Sequence, residues 1–325
     1  MRYYIAFILF LKFCISQSYA QNHIDSILLP EVVLEESRLK THAIGTQIDE
    51  INPKIISNSL HYTLSDLLEK NTAFYMKRYG ALSTPAFRGT NSSHTLLIWN
   101  GIPLNSIANG LIDFSNIPIS NFFETKIVHG GDGSIFGSGA LGGSIHLDSK
   151  LSLDYNKKTN ITYEFGSFGL ESKSISLTKS ENKFSISALL NILDKKNNFV
   201  FTNTTQIGFP LDTNDYGKIK SEQYQLNLAY KANKYNLIKF HYWGTYNDRE
   251  VTQNMTIINS DAKQYDTSNR LLLSYLYFFQ NLNFKINQAY INEIFNYTEL
   301  SKNIDSYYNA KSYMTDFDMK LKLDK

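Results

Sequence analysis

Hydrophobic and polar residues alternate in several segments of the chain beyond Lys150. The alternation is regular from Asp316 to Leu323, where Phe, Met and Leu are separated by Asp and Lys. The same pattern runs from Phe184 to Ile192, from Gln223 to Tyr230 and from Ile238 to Tyr242. A side-chain period of two is typical of β-strands whose two faces meet different surroundings. About eight such strands are predicted in this part of the chain.

Residues 41–149 instead mix short helical and extended segments. Thr63 is a suitable N-cap for a helix over Leu64–Lys70, whose leucines would share one face. The predicted strands are Phe74–Arg78, Pro85–Gly89, Thr95–Trp99, Lys126–His129 and Gly143–Leu147. This pattern predicts an α+β domain that precedes the β-rich part of the chain.

The end of the strand Thr95–Trp99 carries a strong turn signal. The dipeptide Asn100-Gly101 follows it directly, and the β-prone segment Ile102–Leu104 comes next. Asn and Gly tolerate the positive φ angles that a tight hairpin turn requires. A hairpin is therefore predicted here.

Glycine is concentrated in the stretch Glu124–Leu147. This density is tolerated in a ligand cradle or in the tight corner of a packed β unit. Gly137–Gly142 match the nucleotide fingerprint G-x-G-x-x-G, which requires a following helix and an acidic residue about 20 positions on. Here Gly143 and a β-prone segment follow, and the later window has no carboxylate. The tight-corner interpretation is therefore favoured.

The N-terminus has the pattern of an export signal. Arg2 gives the N-terminus a positive charge, and the stretch Tyr3–Leu11 that follows has no charged residue. Ser18-Tyr19-Ala20 places small residues at the positions that signal peptidase requires, so cleavage is expected after Ala20. A transmembrane anchor is the alternative, but Lys12 interrupts a run already too short to cross about 30 Å of hydrocarbon. The single cysteine, Cys14, lacks a good lipobox and would leave with the signal. We expect an exported protein without disulfides.

A short β-prone run follows the predicted cleavage site. It consists of Ile27, Leu28, Leu29, Pro30, Glu31, Val32, Val33 and Leu34. Pro30 cannot donate to a regular ladder of hydrogen bonds. The run is either the first strand of the next domain or a segment that pairs with another protein by β-augmentation.

Composition, charge and the positions of reactive residues exclude several classes of function. The chain has 22 Tyr and 21 Phe, which agrees with a β-rich protein. Its formal net charge is only +2, whereas a protein that binds nucleic acid needs a concentrated basic face. A nucleic-acid partner is therefore not expected. His94, His129 and His146 lack the spacing of metal ligands. Neither paired carboxylates nor a nucleophile–base arrangement appears in the sequence. We therefore expect no metal site, no cofactor and no enzymatic activity.

Several of these motifs resemble the plug domain of TonB-dependent outer-membrane receptors and occur in that family's order. The matching segments are Asp66-Leu67-Leu68, Phe87-Arg88-Gly89, Leu96–Pro103, Ile117-Pro118 and Ser134–Ile145. The last segment, SIFGSGALGGSI, is the most diagnostic. Asn100-Gly101 replaces the family's usual Asp-Gly, and His129-Gly130-Gly131 replaces its usual Arg-Gly-Pro. Both forms resemble cobalamin receptors of Bacteroidota.

The resemblance implies an α+β plug followed by an antiparallel transmembrane β-barrel. It divides the chain into a signal peptide (1–20), a polar lead (21–40), a plug (41–149) and a barrel part (150–325). Ile27–Leu34 is then similar to a TonB box, the strand grasped by the energy transducer. The residues that correspond to plug motifs or plug–barrel contacts are Arg88, Gly89, Asn100, Gly101, Gly137, Gly139, Gly142 and Gly143. In particular, the resemblance implies that Arg88 pairs with a barrel carboxylate.

The barrel part is expected to be incomplete. Plugged transporters have about 22 strands, which need roughly 220 residues at about 10 residues each. The sequence after Lys150 is shorter than that, so we expect the N-terminal portion of a longer receptor: a fragment, a split reading frame or a disrupted gene. It should not close a pore alone, because an open edge in lipid leaves backbone groups unpaired. A soluble β-sandwich is the alternative source of alternating strands.

The resemblance implies energy-coupled uptake of a scarce nutrient across the outer membrane of a Gram-negative, Bacteroidota-like cell. The short lead has no room for the extra domain of large glycan importers, which favours a small chelate, either cobalamin or a ferric siderophore. The residues suggested as ligand contacts are Tyr79, Leu82, Ser83, Asn105 and Asn109. Expected partners are TonB, outer-membrane lipid, the chelate and a surface-exposed lipoprotein. A non-transporting surface β-barrel or adhesin is the alternative of a different class.

Overall fold

A computed structural model describes most of the chain beyond the polar lead. The described residues are 46–57, 61–72, 74–79, 82–87, 89–106, 110–119, 123–130, 133–149, 151, 153–252, 255–256, 261–279 and 281–321. All of them belong to one compact unit, Arg38–Lys325. The predicted signal peptide and the predicted TonB box, Ile27–Leu34, lie outside the described residues.

The first part of the described chain is the α+β domain that the sequence predicts. Its helices are α1 (Pro53–Ser57), α2 (Leu64–Asn71) and α3 (Gly133–Phe136). Its strands are β1 (Ile48–Glu50), β2 (Tyr75–Tyr79), β3 (Leu82–Ala86), β4 (Thr95–Trp99), β5 (Ile102–Pro103), β6 (Phe123–Val128) and β7 (Gly143–Ser149). None of the described helices is long and apolar enough to cross a membrane.

Helix α2 begins where the sequence predicts, because a capping box fixes its first turn. The Thr63 hydroxyl accepts a hydrogen bond from the Asp66 N–H at 3.3 Å, and Asp66 Oδ2 accepts the Thr63 N–H at 3.1 Å. These bonds satisfy two backbone donors that a helix start otherwise leaves unpaired. Leu64, Leu67 and Leu68 are buried on one face of the helix.

A five-stranded sheet with the order β1-β6-β7-β4-β5 forms the centre of this domain. Strand β4 pairs in parallel with β7, and all of its residues are buried. A separate hairpin joins β2 to β3. The strand predicted at Pro85–Gly89 lies earlier, at Leu82–Ala86, because these residues pair with the whole length of Tyr75–Tyr79.

The second part of the chain is a twisted wall of long antiparallel strands. They are β8 (Asn156–Gly166), β9 (Leu170–Glu181), β10 (Phe184–Lys195), β11 (Phe199–Thr202), β12 (Leu211–Asn214), β13 (Ile219–Lys231), β14 (Asn236–Glu250), β15 (Lys263–Phe279), β16 (Leu282–Glu299) and β17 (Ile304–Leu321). Eight of them form one open sheet in the order β17-β16-β15-β14-β13-β10-β9-β8, and β11 and β12 form a hairpin in the connection between β10 and β13. We call the eight-stranded sheet the wall. It confirms the antiparallel barrel portion expected from the alternation.

The two faces of the wall have the opposite character from those of a soluble sheet. On β13, Ser221, Gln223, Gln225 and Asn227 are buried, whereas the alternate residues, including Tyr224 and Tyr230, are more exposed. Strand β10 repeats this arrangement, with its serines buried and its Phe and Ile residues facing outward. Apolar-out and polar-in alternation is the pattern of a strand that faces lipid on one side.

The buried face of the wall packs against the α+β domain. One apolar cluster contains Leu97 and Trp99 of β4 together with Trp243, Leu272 and Ile291 of the wall. The two parts therefore share a core, in which burial of apolar surface stabilises their association.

Candidate functional site

Connections at the two ends of the wall differ in length. Two to four residues separate β9 from β10, β13 from β14 and β15 from β16 at one end of the wall, which we call the short-turn edge. At the other end, which we call the long-loop edge, the connections from β10 to β13 and from β14 to β15 are the longest, and those from β8 to β9 and from β16 to β17 have three and four residues. The α+β domain meets the wall near the long-loop edge through several polar contacts.

A buried ion pair joins the α+β domain to the wall. Arg249 near the end of β14 places Nη2 3.0 Å from Asp113 Oδ2, and its Nη1 donates to Ser115 Oγ at 2.8 Å. The two charged side chains are only 6% and 12% exposed. Asp113 Oδ1 also accepts hydrogen bonds from the N–H groups of Ser83 and Ser115, at 2.9 and 3.0 Å. This cluster ties two segments of the α+β domain to one wall strand.

A second polar contact lies at the start of the wall. His61 Nδ1 is 3.0 Å from Glu164 Oε2 on β8, and Lys195 of β10 donates to the His61 carbonyl oxygen at 3.1 Å. Next to it, burial alone would raise the pKa of the Asp66 carboxyl. Hydrogen bonds from Thr63 and Arg78, together with the Lys195 charge, outweigh burial and lower that pKa below its ordinary value.

A cavity of about 520 Å³ lies between the α+β domain and the wall on the side of the long-loop edge. Leu82, Leu104, Ser106, Leu111, Ile112, Asp113, Asn116 and Ile117 line it from the domain. Strands β14 to β17 contribute Thr245, Asn247, Gln264, Asp266, Ser268, Arg270, Glu293, Phe295, Tyr297 and Tyr308. The domain side of the cavity is mostly apolar and the wall side is mostly polar, so the cavity offers both kinds of contact that small-molecule sites use.

Aromatic rings connect this cavity to the core. The Arg270 guanidinium lies over the Trp243 ring, 4.5 Å from its centroid. The Trp243 ring centroid is in turn 5.9 Å from that of Trp99, the last residue of β4. A cation stacked on an indole ring is held in a defined plane, so the wall presents Arg270 to the cavity from a fixed position.

The sequence-predicted glycines occupy the tight corners of the α+β domain. A Cβ on Gly143 would lie 2.5 Å from the Val128 carbonyl oxygen, and one on Gly139 would lie 2.8 Å from Leu96 Cδ2. A Cβ on Gly142 would collide with the Thr90 hydroxyl. The remaining motif residues lie in turns: Gly89 after β3, Gly137 after α3, and Asn100 and Gly101 between β4 and β5.

The Asn100-Gly101 turn also anchors the end of the domain. Both residues have positive φ, at 50° and 89°, as a tight hairpin turn requires. The Asn100 side chain accepts the Ser149 N–H at 2.7 Å and donates to the Ser149 hydroxyl at 3.0 Å. The turn thus holds the last residue of β7, after which the chain continues toward the wall.

The residues suggested as ligand contacts have different positions. Leu82 lines the cavity, whereas Ser83 is buried and its hydroxyl is 2.7 Å from that of Ser65. Asn105 accepts the Leu97 N–H and donates to the carbonyl oxygens of Thr95 and Gly110, so it holds its own loop together. Tyr79 is the last residue of β2. Asn109 lies outside the described residues.

Sequence reasoning missed the wall residues of the site. Arg88, which the resemblance assigns to a plug–barrel ion pair, lies outside the described residues. The buried Asp113–Arg249 pair has the opposite polarity, with the carboxylate in the domain and the cation in the wall. Its partners are 136 positions apart. The only local signal is that Arg270 precedes a run of neutral residues on β15, whereas Arg249 stands between Asp248 and Glu250.

Comparison with known proteins identifies the α+β domain. Residues 41–144 match the family model described as the TonB-dependent Receptor Plug Domain. The chain is 28% identical over 149 residues to the vitamin B12 transporter BtuB of Vibrio cholerae serotype O1, a match that covers 44% of this chain and 24% of that transporter. The first domain is therefore the plug.

Solved structures support the same fold for plug and wall together. The siderophore receptor PiuA of Acinetobacter baumannii matches with a TM-score of 0.65 and 12% identity, over 86% of this chain and 43% of PiuA. The ferric-catecholate import receptor Fiu of E. coli K12 matches with a TM-score of 0.63 and 11% identity, over 86% of this chain and 47% of Fiu. At these identities the likeness concerns the fold alone. The matches cover less than half the length of each of these three relatives. The plug model, the sequence relatives and the fold together support a TonB-dependent receptor, with a plug domain followed by part of an antiparallel barrel wall.

Proposed function

We propose that this chain supplies the plug and part of the wall of an outer-membrane receptor that imports cobalamin with energy from TonB. The observation that carries the proposal is the likeness of the plug region to a vitamin B12 transporter, at 28% identity over 149 residues. The cavity between plug and wall supports it, because it offers a concave, partly apolar site on the side of the long-loop edge.

The wall supports an outer-membrane location. Its outward face is apolar and aromatic, with Phe317, Met319 and Leu321 exposed on β17. In bacterial barrels the short turns face the periplasm and the longer loops face the outside. The long-loop edge is then extracellular, and the cavity receives its ligand from that side. Residues 1–20 act as the export signal in this proposal.

Transport requires the plug to change its contacts with the wall. Ile27–Leu34, in the polar lead 21–40, pairs with TonB by adding a strand, so that a pulling force reaches the plug (41–149) through its N-terminus. The wall (150–325) holds the plug through the Asp113–Arg249 ion pair and the shared core. These contacts resist the force, and ligand passes when part of the plug moves away from them.

A ferric siderophore is the alternative ligand. The observation that favours it is that several structurally similar proteins, PiuA and Fiu among them, are siderophore or ferric-catecholate receptors. Their low identity restricts this likeness to the fold, whereas the likeness to the vitamin B12 transporter lies in the sequence of the plug region. Cobalamin is therefore the ligand tested first.

The test compares uptake in the native host with and without the gene. Loss of radiolabelled cyanocobalamin uptake on deletion, with ferric-chelate uptake unchanged, supports the proposal, and the reverse result supports the siderophore alternative. Val33→Pro should abolish uptake while leaving ligand binding to whole cells intact, because proline removes a backbone donor from the pairing strand. His23→Pro, in the same lead but before the predicted TonB box, is the matched control. Uptake that Val33→Pro leaves unchanged overturns the TonB-box assignment.

A further inference from the structure

Arg270 is a buried cation whose donors are incompletely used. Its side chain is 3% exposed, and its Nε and Nη1 atoms have no hydrogen-bond partner among the described residues. Its remaining nitrogen, Nη2, lies 3.8 Å from Glu293 Oε1. That distance is longer than the 2.7–2.9 Å of a charge-assisted hydrogen bond. A buried guanidinium with open N–H donors is costly, since each unsatisfied group retains its desolvation penalty.

The other carboxylates of the cavity are engaged elsewhere. Asp113 accepts hydrogen bonds from Ser83, Ser115 and Arg249. Asp266 accepts a hydrogen bond from Gln264 at 2.9 Å and lies 3.5 Å from Arg249. Glu293 is thus the acidic group that directly faces Arg270, and it leaves two of the guanidinium nitrogens open.

A hydroxyl with no partner lies beside these donors in the strand. Ser268 precedes Arg270 by two positions on β15, so both side chains point to the inward face of the wall. Ser268 Oγ is buried and has no hydrogen-bond partner among the described residues. Both residues line the cavity between plug and wall. Two residues with buried, unpartnered polar atoms therefore lie two positions apart on one strand that lines the cavity.

We propose that Arg270 and Ser268 form a subsite that binds an oxyanion, a carboxylate or phosphate group, of the imported molecule. The proposal rests on the proposed function, because the ligand reaches this cavity as the transported nutrient. An ionised acceptor forms stronger hydrogen bonds to a guanidinium than a neutral one does, and low polarity around the site strengthens them further. The stack of Arg270 on Trp243 holds the cation in place before the ligand arrives.

Intrinsic fluorescence offers a direct test, because the sequence contains only two tryptophans. They are Trp99 and Trp243, whose ring centroids are 5.9 Å apart. The Arg270 guanidinium stacks on the Trp243 ring. The natural protein, purified in detergent, is titrated with inorganic phosphate and separately with acetate, against chloride at matched ionic strength. We expect a saturable change in emission with phosphate, acetate or both, and the pair of titrations tells which oxyanion the subsite prefers. Trp243→Phe should remove most of this change.

Variants decide whether the signal comes from the subsite. Arg270→Gln should weaken the apparent affinity at least about tenfold, the equivalent of one charged hydrogen bond. Ser268→Ala should weaken it roughly threefold, and it remains informative if Arg270→Gln does not fold. Lys285→Gln is the matched control, because Lys285 is a buried inward cation of β16 that does not line this cavity.

The outcomes separate the subsite from the proposed function. No saturable response, or equal responses in wild type, Arg270→Gln and Ser268→Ala, means that the cavity holds water only and overturns the subsite. That result together with gene-dependent cobalamin uptake leaves the proposed function intact. Oxyanion binding that is lost in Arg270→Gln supports the subsite, and cobalamin uptake that does not depend on the gene would then overturn the proposed function alone.

Discussion

The plug–wall ion pair is the contact whose loss should have the largest measurable effect on how the plug is held. Asp113→Asn removes the negative charge opposite Arg249 and keeps the size of the side chain. Breaking a buried pair by removing one partner costs about 3–5 kcal/mol, because the other charge stays buried. Asp266 still lies 3.5 Å from Arg249 and partly compensates its charge, so we expect a loss below this range, about 2–3 kcal/mol.

Hydrogen exchange measures this loss where it occurs. The N–H groups of Ser83 and Ser115 donate to Asp113, so peptides covering 82–87 and 110–119 report local opening. A loss of about 2–3 kcal/mol corresponds to roughly 30- to 150-fold faster exchange there when exchange reports the opening equilibrium. Peptides from the wall strands β8 and β9, which do not contact Asp113, should be unchanged.

Two further variants make this prediction refutable. Glu69→Gln removes a plug carboxylate that pairs with Arg78 while both side chains are about half exposed, and such a surface pair contributes at most about 1 kcal/mol. Arg249→Met in the Asp113→Asn background should restore part of the protection, because it removes the buried guanidinium, while Asp266 keeps its hydrogen bond from Gln264. Exchange that is no faster in Asp113→Asn than in Glu69→Gln contradicts the prediction. So does a double variant, Asp113→Asn with Arg249→Met, in which the costs of the two substitutions add in full.

Three other substitutions test local features of the plug. Thr63→Ala should lower the free energy of unfolding in urea by about 1 kcal/mol through loss of the α2 cap, and Thr63→Ser should retain most of it. Gly143→Ala should lower the thermal midpoint of unfolding more than Gly133→Ala does. Gly143 has φ +151° and an added Cβ would meet the Val128 carbonyl oxygen, whereas a Cβ on Gly133 would meet nothing within 4 Å. Equal midpoints for the two variants would contradict this. Asp66 has a lowered pKa in the folded protein, so its stabilisation is present above its unfolded pKa and is lost as pH falls through the folded value. Asp66→Asn should therefore flatten the acid side of a plot of urea midpoint against pH, and an unchanged slope would exclude this role.

Local sequence signals predicted the parts of the plug that depend on neighbours in the chain. The capping box at Thr63, the Asn100-Gly101 turn and the strand Thr95–Trp99 need only a few adjacent residues, and the structure contains all three. The strand predicted at Pro85–Gly89 is shifted, because its position depends on pairing with β2 rather than on its own residues.

The candidate site could not be predicted in the same way. Asp113 and Arg249 come together from opposite parts of the sequence, and the cavity exists only because the plug packs against the wall. The open donors of Arg270 result from what surrounds that side chain in the fold. Neither the ion pair nor the unsatisfied guanidinium has a local pattern that sequence reasoning could detect.

The sequence by itself determined that the second half of the chain forms strands with two chemically different faces. Alternation with a period of two cannot tell which face is buried, because it looks the same in a soluble sheet and in a lipid-facing wall. Only the tertiary structure decided this, by placing Ser, Gln, Asn and Arg side chains against the plug and leaving Phe, Tyr and Leu on the outside. The physical reason is that the polar face gains hydrogen bonds and ion pairs with the plug, whereas the apolar face requires no partner where it meets hydrocarbon.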